Sequence, residues 1–328
     1  MDLDLVFLGT SASMPTAQRG PAAILLRRGG ERLLFDCGEG TQRQLQRSVV
    51  GLPELEEVFL THYHADHVLG LPGMLKTFAL RGREETGLTV YGPRGLGDLF
   101  KHLRPFLGRL PYPLDLVELA PGDELERPEY RIQAFPLDHG VAGIGYALVE
   151  HERPGRFDVA TADALGVPSG PQRGLLQHGE SVTLDDGTVV TPDEVLGEAR
   201  PGRKVVLAGD TAPSPQVVQA AEHADVLVHE ATFAADEKDR ARETMHSTAA
   251  DAAEVARLAG VRLLALTHVS TRYFGPDLAR EAQDVFQETV VPRDFDTIEV
   301  PYAERGAPRL VRAGARPERE PAPMIESA

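Results

Sequence analysis

One run of residues constrains this chain more than any other: Thr61-His62-Tyr63-His64-Ala65-Asp66-His67. Three imidazoles and a carboxylate fall within six positions, directly after the apolar Val58-Phe59-Leu60. A short apolar run that ends in such a loop reads as a strand delivering metal ligands. His62 and His64 alternate and can reach one cation. Asp66 and His67, at the start of the next segment, can reach a second. Imidazole with carboxylate suits Zn²⁺, with Mn²⁺ or Fe²⁺ as alternatives.

Two metals need more ligands, and three further apolar runs end in them. Tyr130 to Phe135 leads to Asp138-His139-Gly140, Lys204 to Gly209 ends at Asp210-Thr211, and Arg262 to Thr267 ends at His268. Ligands at the ends of sheet strands are the pattern of sites on α/β sheets. The economical assignment puts His62, His64 and His139 on one metal and Asp66, His67 and His268 on the other, with Asp210 bridging. Singly, His139, Asp210 and His268 are as readily core or loop residues. The order and context of the set carry the assignment.

The H-x-H-x-D-H run, with its later His, Asp and His, resembles the metallo-β-lactamase superfamily. That resemblance implies an α/β fold, an αβ/βα sandwich of two mixed sheets flanked by helices with two metals at one rim. It leaves the reaction open, because one ligand set serves several hydrolases. Other segments narrow it: Phe7-Leu8-Gly9-Thr10-Ser11-Ala12-Ser13, Asp36-Cys37-Gly38-Glu39-Gly40-Thr41-Gln42, His229-Glu230-Ala231-Thr232, His246-Ser247-Thr248 and Thr267-His268-Val269-Ser270-Thr271-Arg272-Tyr273. Together, over about Leu3 to Leu310, they resemble the ribonuclease Z family of tRNA 3′-processing endoribonucleases. The resemblance implies two Zn²⁺ per subunit, precursor tRNA as substrate, a homodimer, and removal of the 3′ trailer to leave a tRNA 3′-hydroxyl.

Phosphodiester hydrolysis needs a nucleophile, charge neutralisation and a proton for the leaving oxygen. A water shared by two metals ionises near neutral pH, and the metals clamp the phosphate oxygens. Asp66 can hold or deprotonate that water as well as bind metal. His246, left over once the metals are satisfied, is the candidate acid, and Glu230 can orient it and keep it protonated. Thr248-Ala249-Ala250-Asp251 reads as a capped helix start and Gly260 as its stop. His229 is expected near the site in a structural role.

The chain has 328 residues, 42% of them apolar, enough for a large core, and a net charge of −16. No apolar run reaches membrane-spanning length, and Met1-Asp2-Leu3-Asp4 begins a strand rather than a signal peptide. A cytoplasmic enzyme without a membrane partner is expected. The single cysteine, Cys37, reads as a small buried residue rather than a nucleophile. An acidic chain runs against the basic stripe usual for RNA binding, but charge can be segregated. Arg19, Arg27, Arg28, Lys76, Arg81, Arg83 and Arg272 are candidate phosphate contacts.

Residues 1–312 read as one domain of alternating strands and helices, with 313–328 a Pro-rich charged tail expected to be disordered. Residues 151–203 do not fit the sandwich. They are polar and rich in Gly, Pro and Asp, as in an inserted functional segment. The resemblance makes this the tRNA-gripping arm, with Arg153, Arg156 and Arg173 as its main cations. In Pro15-Thr16-Ala17-Gln18-Arg19-Gly20, Ala17 and Gly20 stand where the family pattern has a Lys and an Asn, in a loop that the resemblance links to discrimination against CCA-bearing tRNA, and Arg19 is kept. Two other readings stay open: a phosphodiesterase or thioester hydrolase for a small molecule on the same metals, and a non-catalytic RNA-binding scaffold.

Overall fold

The computed structural model describes residues 1–52 and 55–314. Residues 315–328 of the expected tail lie outside these. The first half runs through strands β1 (Leu3–Gly9), β2 (Ala23–Arg28) and β3 (Glu31–Phe35), then helix α1 (Thr41–Arg47). After β4 (Glu57–Phe59) come α2 (Ala65–Val68), α3 (Gly70–Leu80), β5 (Leu88–Gly92), α4 (Leu96–Leu107) and β6 (Leu114–Glu118). Next are β7 (Glu124–Glu126), β8 (Tyr130–Pro136) and β9 (Ile144–Glu150). The insertion carries α5 (Val159–Ala164), α6 (Pro171–Gln177), β10 (Val182–Thr183), β11 (Val189–Val190) and α7 (Pro192–Val195). The second half continues with β12 (Lys204–Leu207), α8 (Pro215–Ala220), β13 (Val226–Glu230), α9 (Lys238–Glu243) and α10 (Ala249–Ala259). It ends with β14 (Leu264–Thr267), α11 (Gly275–Gln283), β15 (Thr289–Val290), β16 (Thr297–Glu299) and β17 (Arg309–Val311).

Two sheets result. One has eight strands in the order β17-β16-β1-β2-β3-β4-β5-β6, and the other has seven in the order β15-β14-β13-β12-β9-β8-β7. Each is mixed: β1–β2–β3 is antiparallel and β3–β4–β5–β6 parallel, while β12–β13–β14–β15 is parallel. The alternation of side chains along each strand sorts the two faces of the first sheet. Leu34, Val58 and Val90 pack outward with Leu71, Met74, Leu75 and Phe78 of α3. Phe35, Phe59 and Tyr91 point the other way and stack at 4.9 and 4.6 Å between ring centroids. Tyr146 of β9 lies 5.6 Å from Phe35 and 5.3 Å from Phe59, which joins the inner faces of the two sheets. A fully buried side chain of this size contributes about 1.5–3 kcal/mol. This is the αβ/βα sandwich expected from the sequence.

The compact body comprises Met1–Leu125, Ile132–Leu148 and the described residues from Lys204 onward. A second compact unit comprises Glu126–Arg131 and Val149–Arg203. The Gly- and Pro-rich insertion is thus not a bare loop. It has its own small core of Ala162, Val167, Leu176, Val182, Val190 and Val195. Glu150 and Arg203 form a buried bidentate pair within it: Arg203 Nε donates to Glu150 Oε2 at 2.8 Å and Nη2 to Oε1 at 2.7 Å.

Helix ends depart from expectation. The sequence pattern reads as helices over 276–288 and 216–223, but the first stops at Gln283 and the second at Ala220. In the first, Asp284 is the C-cap and two-residue β15 follows at Thr289. In the second, His223 takes a left-handed φ of 54° that no helix continues. Helix α10 agrees in detail. Thr248 Oγ1 accepts from Asp251 N–H at 3.1 Å, Thr248 Oγ1 donates to Asp251 Oδ2 at 2.8 Å, and Gly260 closes it at φ 63°.

Candidate metal centre

The ligand candidates converge because four strands end beside one another. β4 runs into His62 and His64, β12 into Asp210, β13 into His229-Glu230, and β14 into His268. The short helix α2 carries Asp66 and His67. It is held close by Gly38, where a Cβ would meet the Asp66 carbonyl oxygen at 2.3 Å.

One ligand atom from each of His62, His64, His139 and Asp210 falls within 4.8 Å of the others, and the same holds for Asp66, His67 and His268. Asp210 faces both groups. Its Oδ2 is 3.9 Å from His62 Nε2, 3.4 Å from His67 Nε2 and 3.3 Å from His268 Nε2. Asp66 Oδ2 is 3.2 Å from His268 Nε2 and 3.7 Å from His67 Nε2. His64 Nδ1 lies 3.0 Å from His62 Nε2 and 3.2 Å from His139 Nε2. All seven expected ligands therefore meet in one place.

Behind them, four of the imidazoles have an anchor on the nitrogen that faces away. His67 Nδ1 is 2.8 Å from Asp36 Oδ2, His62 Nδ1 is 3.0 Å from Thr61 Oγ1, and His139 Nδ1 is 3.1 Å from Met245 O. His268 Nδ1 is 2.8 Å from Thr232 Oγ1. Such partners fix the ring so that the opposite nitrogen faces inward, which is how metal-ligating histidines are usually held. His67 Nε2 is buried with no hydrogen-bond partner. An inward, unpartnered nitrogen between carboxylates fits a cation ligand, and the His-rich donor set fits Zn²⁺.

Electrostatics show that the pocket favours positive charge, from a proton or a cation. Burial opposes charge on His67, yet Asp210 and Asp36 outweigh it and raise its pKa well above the ordinary value. Burial, helped by neighbouring His67, pulls His62 down to about 2, so it is a neutral donor. Burial would raise Asp210, but His268 and His67 hold it well below the ordinary carboxylate range. Among the described residues, six non-glycine residues take a positive φ, and four belong to this centre: Ser13, Asp36, Met245 and His268. Each such residue costs about 1–3 kcal/mol, and such strain gathers at functional sites.

His246 stands beside both groups, its ring 4.9 Å from His139 and 5.6 Å from His268. Its Nδ1 is 2.6 Å from Oε1 of the fully buried Glu230. Glu230 in turn accepts from Thr211 N–H at 3.0 Å and Thr232 Oγ1 at 2.6 Å. Burial lowers the His246 pKa, but the Glu230 hydrogen bond and charge outweigh it and bring it to about 9. His246 also falls within 4.8 Å of Asp210 and His268, so distance alone does not separate an acid from a ligand. The Glu230 bond occupies Nδ1 as the Asp36 bond does in His67; what sets His246 apart is that the other seven groups already offer four ligands to each of two cations, with Asp210 shared. His229 is buried, with its Nδ1 2.8 Å from Glu230 O.

The candidate cations are mostly engaged inside the protein. Arg19 donates to Thr10 Oγ1 and to Pro292 O, and Lys76 to Leu107 O. Arg173 donates to Val167 O and pairs with Asp163. Arg272 pairs with Glu237 at 3.1 Å and lies over the Phe233 ring at 5.3 Å. Arg153 donates to Pro201 O at 3.3 Å, whereas Arg156 is exposed. Of the other cations, Arg27 pairs with Asp4 at 2.6 Å, Arg28 is buried beside Glu31, Arg83 is buried against Leu55 O, and Arg81 caps α3.

Sequence reading misses several contributors. Asp36, which stands behind His67, and Ser13, whose N–H donates to Asp66 Oδ2 at 2.8 Å, fall in segments that carry the family resemblance, but nothing local to either names its partner. Arg43 and Arg47 of α1 line a cavity of about 390 Å³ with Arg19 and Asp294. Their spacing on one face of α1 is the available clue. Cys37 is buried, and burial pushes its thiol up to about 12, so it is no nucleophile.

Residues 17–244 match the model of the metallo-beta-lactamase superfamily. The chain is 47% identical to a ribonuclease Z of Natronomonas pharaonis, over 93% of this chain and 100% of that one. It is 48% identical to a ribonuclease Z of Gemmatimonas aurantiaca, over 93% and 98%. The crystal structure of human tRNase Z, short form, superposes with a TM-score of 0.66 at 29% identity, covering 91% of this chain and 99% of that one. The metallo-beta-lactamase fold protein YhfI from Bacillus subtilis superposes with a TM-score of 0.67 at 19% identity, covering 91% and 100%, and supports the fold alone.

Proposed function

The chain belongs to the ribonuclease Z family of the metallo-β-lactamase superfamily, and we propose from this that it is a zinc-dependent endoribonuclease. Its substrate is precursor tRNA, from which it removes the 3′ trailer. The observation that carries the reading is His246, bound to buried Glu230 at 2.6 Å beside two convergent groups of ligand atoms. A metal-assisted hydrolase of a small, reactive ester does not need that pair. Hydrolysis at a ribose 3′ oxygen does, because that oxygen leaves poorly without a proton.

The residues divide as follows. His62, His64, His139 and Asp210 would hold one metal, and Asp66, His67 and His268, with Asp210, the second. Zn²⁺ at both places, with Mn²⁺ or Fe²⁺ as alternatives, would neutralise phosphate oxygens and lower the pKa of a shared water. Asp66, steadied by the Ser13 N–H, takes the proton of the attacking water. That water oxygen bonds to phosphorus as the phosphorus–O3′ bond breaks. His246 gives its Nε2 proton to the departing O3′, which becomes the tRNA 3′-hydroxyl. Glu230 is a positioning residue that holds the imidazolium and its tautomer.

The same reading makes the unit built on residues 151–203 the tRNA-gripping arm, with Arg153, Arg156 and Arg173 as its cations. Arg19, Lys76 and Arg272 serve the RNA near the centre, and the protein works as a homodimer in the cytoplasm with no membrane partner. No helix among the described residues is long and apolar enough to cross a membrane. The test is to incubate the Zn²⁺-loaded protein with a 3′-extended precursor tRNA and map the termini. One cut at the discriminator nucleotide, with a 3′-hydroxyl on the tRNA, is expected. Turnover of small phosphodiesters or thioesters with the precursor left intact would overturn the reading.

A further inference from the structure

Two exposed apolar side chains lie on segments that run from the metal centre, outside its ligands and its acid. Phe274 is 77% exposed and Met14 57%. A single exposed apolar residue is ordinary on a protein surface, and it is the placement of these two that matters. Met14 follows Ser13, whose N–H holds Asp66. The Ser13 backbone is left-handed at φ 58°, and Ser11 Oγ donates to Met14 O at 2.8 Å. The turn that sends Met14 outward is therefore fixed from both sides.

Phe274 comes six residues after His268 and is the N-cap of α11. Its segment is stitched to that of Met14: Ala12 N–H donates to Val269 O at 3.1 Å, and Val269 N–H to Thr10 O at 2.9 Å. Beyond, a Cβ on Gly275 would lie 3.1 Å from Arg19 Nη2. Phe274 thus borders the loop that starts at Met14. Arg272, two residues away, is held over Phe233 by Glu237. An exposed ring on a segment that runs from a phosphodiester-cleaving centre is the kind of surface that holds unpaired nucleotides, whose bases stack on aromatic faces.

We propose that Phe274 and Met14 form a stacking platform for the unpaired bases of the RNA next to the scissile bond. This rests on the ribonuclease reading. The test pairs two substrates with the Zn²⁺-loaded full chain: a 3′-extended precursor tRNA, and versions made abasic at each of the two nucleotides on either side of the cut. Phe274→Ala is expected to lower kcat/KM on the intact precursor by between about fivefold and a hundredfold. On the precursor abasic at the stacked position that loss should vanish, because the base it served is gone. Phe274→Trp should retain wild-type cleavage, and Met14→Ala should show a smaller loss of the same pattern.

An equal loss on intact and abasic RNAs would make Phe274 merely structural and overturn the platform. So would wild-type cleavage by Phe274→Ala while His246→Ala is inactive. That second result would leave the ribonuclease reading standing. If wild type cuts none of these RNAs, the ribonuclease reading fails and the platform with it.

Discussion

His246 and Glu230 set the chemistry at the scale of single residues. The raised pKa of about 9 means that the imidazolium predominates below that pH and is lost as pH rises through it. Cleavage should therefore fall on the alkaline side with a limb near 9. Glu230→Gln removes the charge that holds the proton, so the limb should move down by about one unit or more, and a pH–rate profile of both proteins checks it. Asp36 makes a second claim testable. Asp36→Asn weakens the anchor of His67, and apparent metal affinity should fall about 10- to 100-fold, measured by competition with a chelator. An unchanged affinity would show that Asp36 only supports the turn. The ligands His62 to His67 are legible in the sequence because they crowd one loop. Asp36, Ser13 and Thr232 are not, because their contacts with His67, Asp66 and His268 span 31, 53 and 36 positions. Only the fold brings such partners together.

At the scale of elements, the sandwich places its chemistry where strands end. Helix α10 begins three residues after His246, and its capping box fixes the entry of the chain there. Thr248→Ala should cost about 1 kcal/mol of stability, read by denaturant unfolding, and should lower cleavage by loosening the His246 segment. Full activity at reduced stability would separate the cap from the site. The long strands are legible as apolar runs such as Leu3 to Leu8, buried on both faces by the second layer. Strands β15, β16 and β17, of two or three residues each, are not. Neither is the order within the insertion, whose core rests on six small or medium side chains scattered among glycines and prolines.

At the scale of the molecule, the net charge of −16 has a consequence for RNA binding. Of the six cations assigned to the RNA, Arg19, Lys76, Arg153, Arg173 and Arg272 already donate to groups of the protein. Few counterions are then released from the RNA, and log(kcat/KM) should fall with log salt at a shallow slope of about −1, the value for one neutralised phosphate. A steeper slope would mean that these cations leave their internal partners to meet phosphates. The fold class and the seven ligands follow from local pattern, but the balance between an acidic surface and an anionic substrate does not, since it depends on where each charge is held. The central claim is that His246 protonates the leaving O3′ at a two-metal centre. Its most direct measurement is single-turnover cleavage of a 3′-extended precursor tRNA by wild type and His246→Ala, with bound metal quantified in both. Equal metal content is expected, with a cleavage rate lower by about 10²- to 10⁴-fold in the variant. Equal rates, or a loss of metal that matches the loss of rate, would contradict the claim.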